Sequence, residues 1–250
     1  MIDRNPLIFL WTHPRSVSSA MERVMLQRGD LATLHEPFIY LYYLGDAHKP
    51  LDYFDPDPAH PTDYAGIRDM ILQRAQHDPV FVKDMCYYIT DYFGNDRELL
   101  EAATHTYLIR TPERSVPSYH RLDPHLTSDE IGLDSLYRHF ETVANHTGRT
   151  PVVIDAADLT SDPMGTVRAY CEAIGLPFLE HSLSWDNDAV PKEWMHVAGW
   201  HTDLAASSGM GTVKRSSASL DDAPYLRELC DQHLPYYEKL REHRLQPITR

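Results

Sequence analysis

Apolar residues along this chain fall in short continuous blocks, and between the blocks they recur every three or four positions. Leu7-Ile-Phe-Leu-Trp11 is the first block and reads as a buried strand, with helical periodicity following over 20–28. Residues 31–34 predict a short second strand, and 64–76 a helix whose stripe is Ile67, Met70 and Ile71. Pro79-Val-Phe-Val82, Thr106-Tyr-Leu-Ile109 and Pro151-Val-Val-Ile154 predict three further strands. Helices are expected over 94–103, from Pro112 onward, over 127–146, from Asp162-Pro163 to Ile174, and over 223–244, where Pro235 should kink the last one. Strands that are apolar throughout and alternate with helices argue an α/β fold, with a central parallel sheet covered on both faces. No internal repeat or boundary interrupts the pattern, so residues 1–250 are expected to form a single domain.

The polar residues between these elements carry the chemistry. The first strand leads into its helix through Thr12-His-Pro-Arg15-Ser16-Val17-Ser18-Ser19. Such a turn aims free helix N–H groups at one point, Arg15 adds a forked cation, and the serines add short donors. The stretch reads either as a phosphate or sulfonate loop, or as an ordinary Ser-capped helix start with a solvated Arg. Arg110 ends the strand at 106–109, Pro112 suits a first helical turn, and Ser118 lies on that helix eight positions beyond Arg110. An arginine and a helix-borne hydroxyl can grip one phosphate, or the segment is a plain strand-to-helix turn. Glu36 closes the second strand, before Pro37, where open α/β sheets place ligands. It reads as a general base facing a hydroxyl or amine, or as a cap or partner of Arg15. The aromatic run 39–44, with Tyr40, Tyr42 and Tyr43, lines an acceptor pocket or fills the core, and the proline-rich 48–61 is a surface loop placed to cover such a pocket.

Composition narrows the classes. The net charge is −14 with no basic stripe, which argues against nucleic acid as a partner. An acidic chain that binds an anion must gather its cations locally, so a small basic pocket on a negative surface is expected. Cys86, Cys171 and Cys230 are isolated, which points to a reducing cytoplasm. No leader and no run of about 18 apolar residues is present, so no membrane partner is expected. The 15 histidines are scattered without metal-ligand spacing, and no metal is expected.

Two of these stretches resemble the sulfotransferases that use 3′-phosphoadenosine 5′-phosphosulfate (PAPS). Thr12 to Ser19 is similar to their Thr-x-Pro-Lys/Arg-Ser-x-Thr/Ser-Thr/Ser phosphosulfate loop, and Arg110 with Ser118 keeps the spacing of their 3′-phosphate motif. The end of the helix in Ile174-Gly-Leu-Pro177 is similar too. The resemblance implies a P-loop-like α/β fold, PAPS as sulfuryl donor and a small-molecule acceptor. It implies that Arg15, Ser16, Val17, Ser18 and Ser19 hold the phosphosulfate, that Arg110 and Ser118 hold the 3′-phosphate, and that Lys83 contacts the transferring group. Lys214 or Arg215, in the Gly-rich stretch 209–217, would close over that 3′-phosphate. Where cytosolic members read Lys-Thr-His, this chain has Lys83-Asp84-Met85, which removes their histidine base and shifts the role to Glu36, with Asp84 or another His as alternatives. A P-loop kinase or NTPase would need Gly-x-x-x-x-Gly-Lys-Ser/Thr, absent here, and Asp155 as its Mg²⁺ ligand. A non-catalytic nucleotide-binding protein is the third reading. The acceptor's identity and the oligomeric state stay open.

Overall fold

The computed structural model describes residues 5–46, 50–186, 191–201, 208–210, 220 and 223–248. Five strands, β1 (Leu7–Thr12), β2 (Ala32–His35), β3 (Val80–Met85), β4 (Thr104–Ile109) and β5 (Val152–Asp155), form one parallel sheet in the order β2-β3-β1-β4-β5. The strands are apolar throughout because both faces are covered. On β1, Leu7, Phe9 and Trp11 point to one face and Ile8 and Leu10 to the other. Helix α1 (Ser18–Gln27) packs Met21, Val24 and Met25 on the second face, in one cluster with Val167 and Tyr170. Helices α2 (Tyr64–His77) and α3 (Arg97–Ala102) bury Ile67, Ile71, Leu99 and Leu100 on the first.

Helix α4 (Pro112–His120) follows β4, with Pro112 in its first turn as expected. Next come α5 (Ser128–Ile131), α6 (Leu133–Thr147), α7 (Ala156–Ser161), α8 (Pro163–Ala173) and α9 (Tyr225–Arg241). Gly175, at φ 73°, sits just past α8 in the left-handed conformation that a glycine stop supplies. Pro235 lies inside α9 and does not end it.

Two elements differ from the pattern reading, and a third stretch takes a form that the pattern left open. The helix expected over 94–103 is confined to α3, because the Asp96 carboxylate caps it through the Leu99 N–H and fixes its start. Residues 39–44 run into a π-helical turn, Leu41–Asp46, whose Tyr43 is buried. The long helix expected over 127–146 is broken at Gly132 into α5 and α6. There the backbone turns left-handed at φ 72°, and Thr127 with Glu130 forms a capping box for α5.

A Cβ on Gly132 would lie 3.1 Å from the Tyr87 ring and 3.7 Å from the His13 Cβ. Gly132→Ala therefore combines left-handed strain with pressure on the Tyr87 ring. It is expected to lower stability by about 1–2 kcal/mol in urea unfolding. An unchanged midpoint would remove the strain argument.

Candidate active site

The outgoing connection of β1 runs to one side of the sheet and that of β4 to the other. A crevice opens between adjacent strands that part in this way, at their carboxyl ends. The loop after β1 is strained: Arg15 has φ 61° and Val17 φ 71°. A β-branched residue with positive φ is a true outlier, and alternation of this kind is how backbone N–H groups form an anion-binding nest. Val17 is the N-cap of α1, and no side chain caps the helix, so the Ser-cap expectation fails. The Ser16 hydroxyl is wholly buried and has no hydrogen-bond partner among the described residues.

The loops after β1 and β4 are tied together. The Arg110 backbone N–H donates to His13 Nε2 at 3.0 Å, and the Arg110 guanidinium donates to the Arg15 carbonyl at 2.8 Å. Arg15 Nε donates to Ser118 Oγ at 3.1 Å, so the two arginines and this serine form one cluster. Burial, then Arg15 and Arg114, push Arg110 down to about 10. His13 is driven to about 3 by burial and by Arg110, so it stays neutral and serves as an acceptor. These gathered cations are the small basic pocket expected of so acidic a chain.

Glu36 is placed by the sheet. Parallel register sets His35 opposite Lys83, and the Glu36 N–H then donates to the Lys83 carbonyl at 2.7 Å. The Lys83 ammonium donates to Glu36 Oε1, and the Tyr88 hydroxyl donates to Oε2 at 3.2 Å. Burial alone would raise the Glu36 carboxyl, but Lys83 above all outweighs it, by charge and by hydrogen bond, and holds it below the ordinary range. Glu36 has φ 46° immediately before Pro37, a strained geometry of the kind found at working sites. It pairs with Lys83, whereas the sequence left a pairing with Arg15 open. Asp84 points elsewhere: it accepts from the N–H groups of Phe38 (2.9 Å) and Met85 (2.8 Å), and burial raises its carboxyl well above normal.

A cavity of about 830 Å³ joins the two groups. Arg15, Val17, Ser18, Ser19, Arg110, Arg114 and Ser118 line it, together with Glu36, Lys83, Tyr43, Tyr87, Tyr88 and Tyr119. Of the residues singled out in the sequence, Ser16 is buried behind the lining, and Lys214 and Arg215 lie outside the described residues. Leu51, Val197 and Trp200 close the side. They are braced by hydrogen bonds from Trp200 Nε1 to the Asp52 carbonyl (2.7 Å) and from Asp55 N–H to the His196 carbonyl (2.8 Å). Asp155 accepts from the Ala157 N–H and from the Tyr237 hydroxyl at 2.7 Å, so both its oxygens are engaged in the fold. Among the described residues, no group of three or more His, Cys, Asp or Glu is placed to hold a metal ion, and no helix is long and apolar enough to cross a membrane.

Pattern reading missed His35, Glu22, Tyr88 and Arg114. Two signals were available: a carboxylate, Glu22, on the buried stripe of α1, and a histidine next to Glu36 at a strand end.

A model of the sulfotransferase domain matches residues 7–243. The chain belongs to the sulfotransferase family. Among solved structures, this sulfotransferase is similar to the sulfotransferase domain of an olefin synthase from Synechococcus PCC 7002, with 18% identity and a TM-score of 0.54, covering 93% of this chain and 96% of that one. It is also similar to mouse sulfotransferase SULT7A1 complexed with PAP, with 14% identity and a TM-score of 0.56, over 96% and 89% of the two chains. At these identities the likeness establishes the fold. Branched-chain-amino-acid aminotransferase-like proteins 2 and 1 of Arabidopsis thaliana are each 27% identical over 251 aligned positions, 95% of this sulfotransferase. The chain spans only 42% of the length of these curated relatives.

Proposed function

We propose that this sulfotransferase moves the sulfuryl group of PAPS to a hydroxyl or amine of a small-molecule acceptor, with Glu36 as general base. The observation that carries the reading is one cavity lined both by the arginine cluster and by the buried Glu36, which Lys83 holds below the ordinary carboxyl range. PAPS bound there supplies an activated sulfuryl group with a phosphate as its leaving group. The site suits that donor: the strained loop after β1 answers to an anion, and Arg15 and Arg114 stand close enough to Arg110 to depress it. Arg15, Ser18 and Ser19 are assigned to the 5′-phosphosulfate, and Arg110 with Ser118 to the 3′-phosphate, a contact that selects PAPS over ATP. Glu36 takes the acceptor's proton as the oxygen or nitrogen attacks sulfur. Lys83 keeps Glu36 ionised beforehand and lies beside the transferring group. Arg15 and the loop N–H groups stabilise charge that grows on the departing phosphate. The bound PAP in the mouse sulfotransferase structure supports the choice of nucleotide. A chain 7–243 matched as one family unit supports a single domain over 1–250.

Calorimetric titration tests this directly. Adenosine 3′,5′-bisphosphate should bind without Mg²⁺ and more tightly than ATP with Mg²⁺. Binding of ATP that depends on Mg²⁺, with no preference for a 3′-phosphate, would reject the assignment in favour of a kinase or NTPase.

A further inference from the structure

Behind Glu36 lies a line of buried polar groups that the proposed reaction leaves without a role. His35 and Glu22 are both fully enclosed, with side-chain exposures of 0% each. Glu22 Oε2 is 2.6 Å from His35 Nδ1, and His35 Nε2 is 3.6 Å from Glu36 Oε1. The other Glu22 oxygen, Oε1, is buried and accepts no hydrogen bond of ordinary geometry among the described residues, although the Trp194 side chain and the Lys83 charge lie near enough to favour a carboxylate. Burial outweighs them, because a carboxylate there costs more than a neutral acid. The topology explains the alignment. Glu22 rises from the sheet-facing stripe of α1, and His35 and Lys83 are registered neighbours on β2 and β3.

We propose that Glu22 is a positioning residue: as a neutral carboxylic acid it donates to His35 Nδ1, fixing the tautomer whose Nε2–H faces Glu36. This deepens the proposed function and rests on Glu36 being the base. The arrangement keeps a donor, and never a lone pair, directed at the Glu36 carboxylate, yet avoids an imidazolium that would quench its basicity. Burial, with Lys83 next, holds His35 well below its ordinary value. Burial, helped by Glu36 and Glu193, lifts Glu22 to about 8 despite Lys83 and Trp194. The groups that face this line are therefore Lys83 from β3, Trp194, His196 and Glu193 from residues 192–201, and Tyr88 beside Glu36. A group raised in the folded state keeps its proton below that value. Above pH about 8 Glu22 ionises, the histidine proton moves to Nδ1, and Nε2 turns a lone pair on Glu36.

The test combines a spectrum and two variants of the full chain. Infrared difference spectroscopy at pH 6.5 between wild type and Glu22→Gln should show the loss of a protonated-carboxyl C=O band. An ionised Glu22 would show loss of a carboxylate band and overturn the proposal, whether or not the chain transfers sulfate. In turnover with PAPS, Glu22→Gln, whose amide N–H replaces the donor, should keep kcat within ~3-fold and lose the alkaline limb near pH 8. Glu22→Leu should lower kcat ~10- to 100-fold at unchanged bisphosphate affinity. Equal losses in both variants, or an alkaline limb that persists in Glu22→Gln, would overturn the positioning role. If the infrared band is as expected but wild type transfers nothing, the reading of Glu36 as a sulfotransferase base fails, and the positioning role falls with it.

Discussion

Glu36→Gln should lower kcat by ~10²- to 10⁴-fold while leaving adenosine 3′,5′-bisphosphate affinity unchanged, as measured by steady-state turnover and calorimetry on the same preparation. The substitution keeps the volume and one hydrogen-bond acceptor but removes the proton acceptor. The affinity should hold because the hydrogen bonds that join Arg15, Arg110, His13 and Ser118 do not involve Glu36. The same change strands the Lys83 ammonium, which is 1% exposed and has Glu36 as its ion-pair partner. Breaking one side of a buried pair costs ~3–5 kcal/mol, so the variant should also unfold at lower urea concentration. The double change Glu36→Gln with Lys83→Met removes the stranded charge. It should recover much of that stability and none of the turnover, which separates the chemical role from the structural one. Turnover within tenfold of wild type in Glu36→Gln would move the base elsewhere, with His35 and His196 the imidazoles that act on the Glu36 carboxyl.

Arg110→Ala should weaken adenosine 3′,5′-bisphosphate binding by ~10²-fold or more, in line with the ~2–5 kcal/mol at stake when one side of a buried charge contact is truncated. Titration with adenosine 5′-monophosphate supplies the control. It lacks the 3′-phosphate, so its affinity should change by no more than a few-fold. The comparison is clean because the tie from Arg110 to His13 runs through the backbone N–H and survives the substitution, so the β4 loop keeps one anchor. An equal loss for both ligands would mean that Arg110 organises the loop through the Arg15 carbonyl and does not read the 3′-phosphate.

The strands, their parallel arrangement and the two loops were legible in the sequence because each depends on local rules: apolar blocks, helical spacing and turn residues. Glu36 and Arg110 were legible for a related reason, since both sit at strand ends where polarity interrupts an apolar block. The partners of those residues were not. That Glu36 meets Lys83, and Glu22 meets His35, follows from strand register and from which face α1 covers, and neither is written in local periodicity. Asp84 was misleading for the same reason, since a carboxylate beside Lys83 in sequence points to the opposite side of the strand. Gly132 broke a helix that periodicity carried straight through, because a left-handed residue depends on one backbone angle and leaves the apolar spacing intact.

The hydrogen bonds that join the loop after β1 to the loop after β4 make the space between them a gauge. Two separate anion seats on mobile loops would accept a range of diphosphorylated molecules, each adjusting the gap to its own length. On the proposed assignment, two phosphate seats cross-braced through His13 and the Arg15 carbonyl have one spacing, set when the chain folds, and the ordering entropy for that spacing is already spent before any ligand arrives. A nucleotide whose phosphates match the gap should gain more from its second phosphate than from its first, while isomers with the same charge and a different span should bind hardly better than a monophosphate.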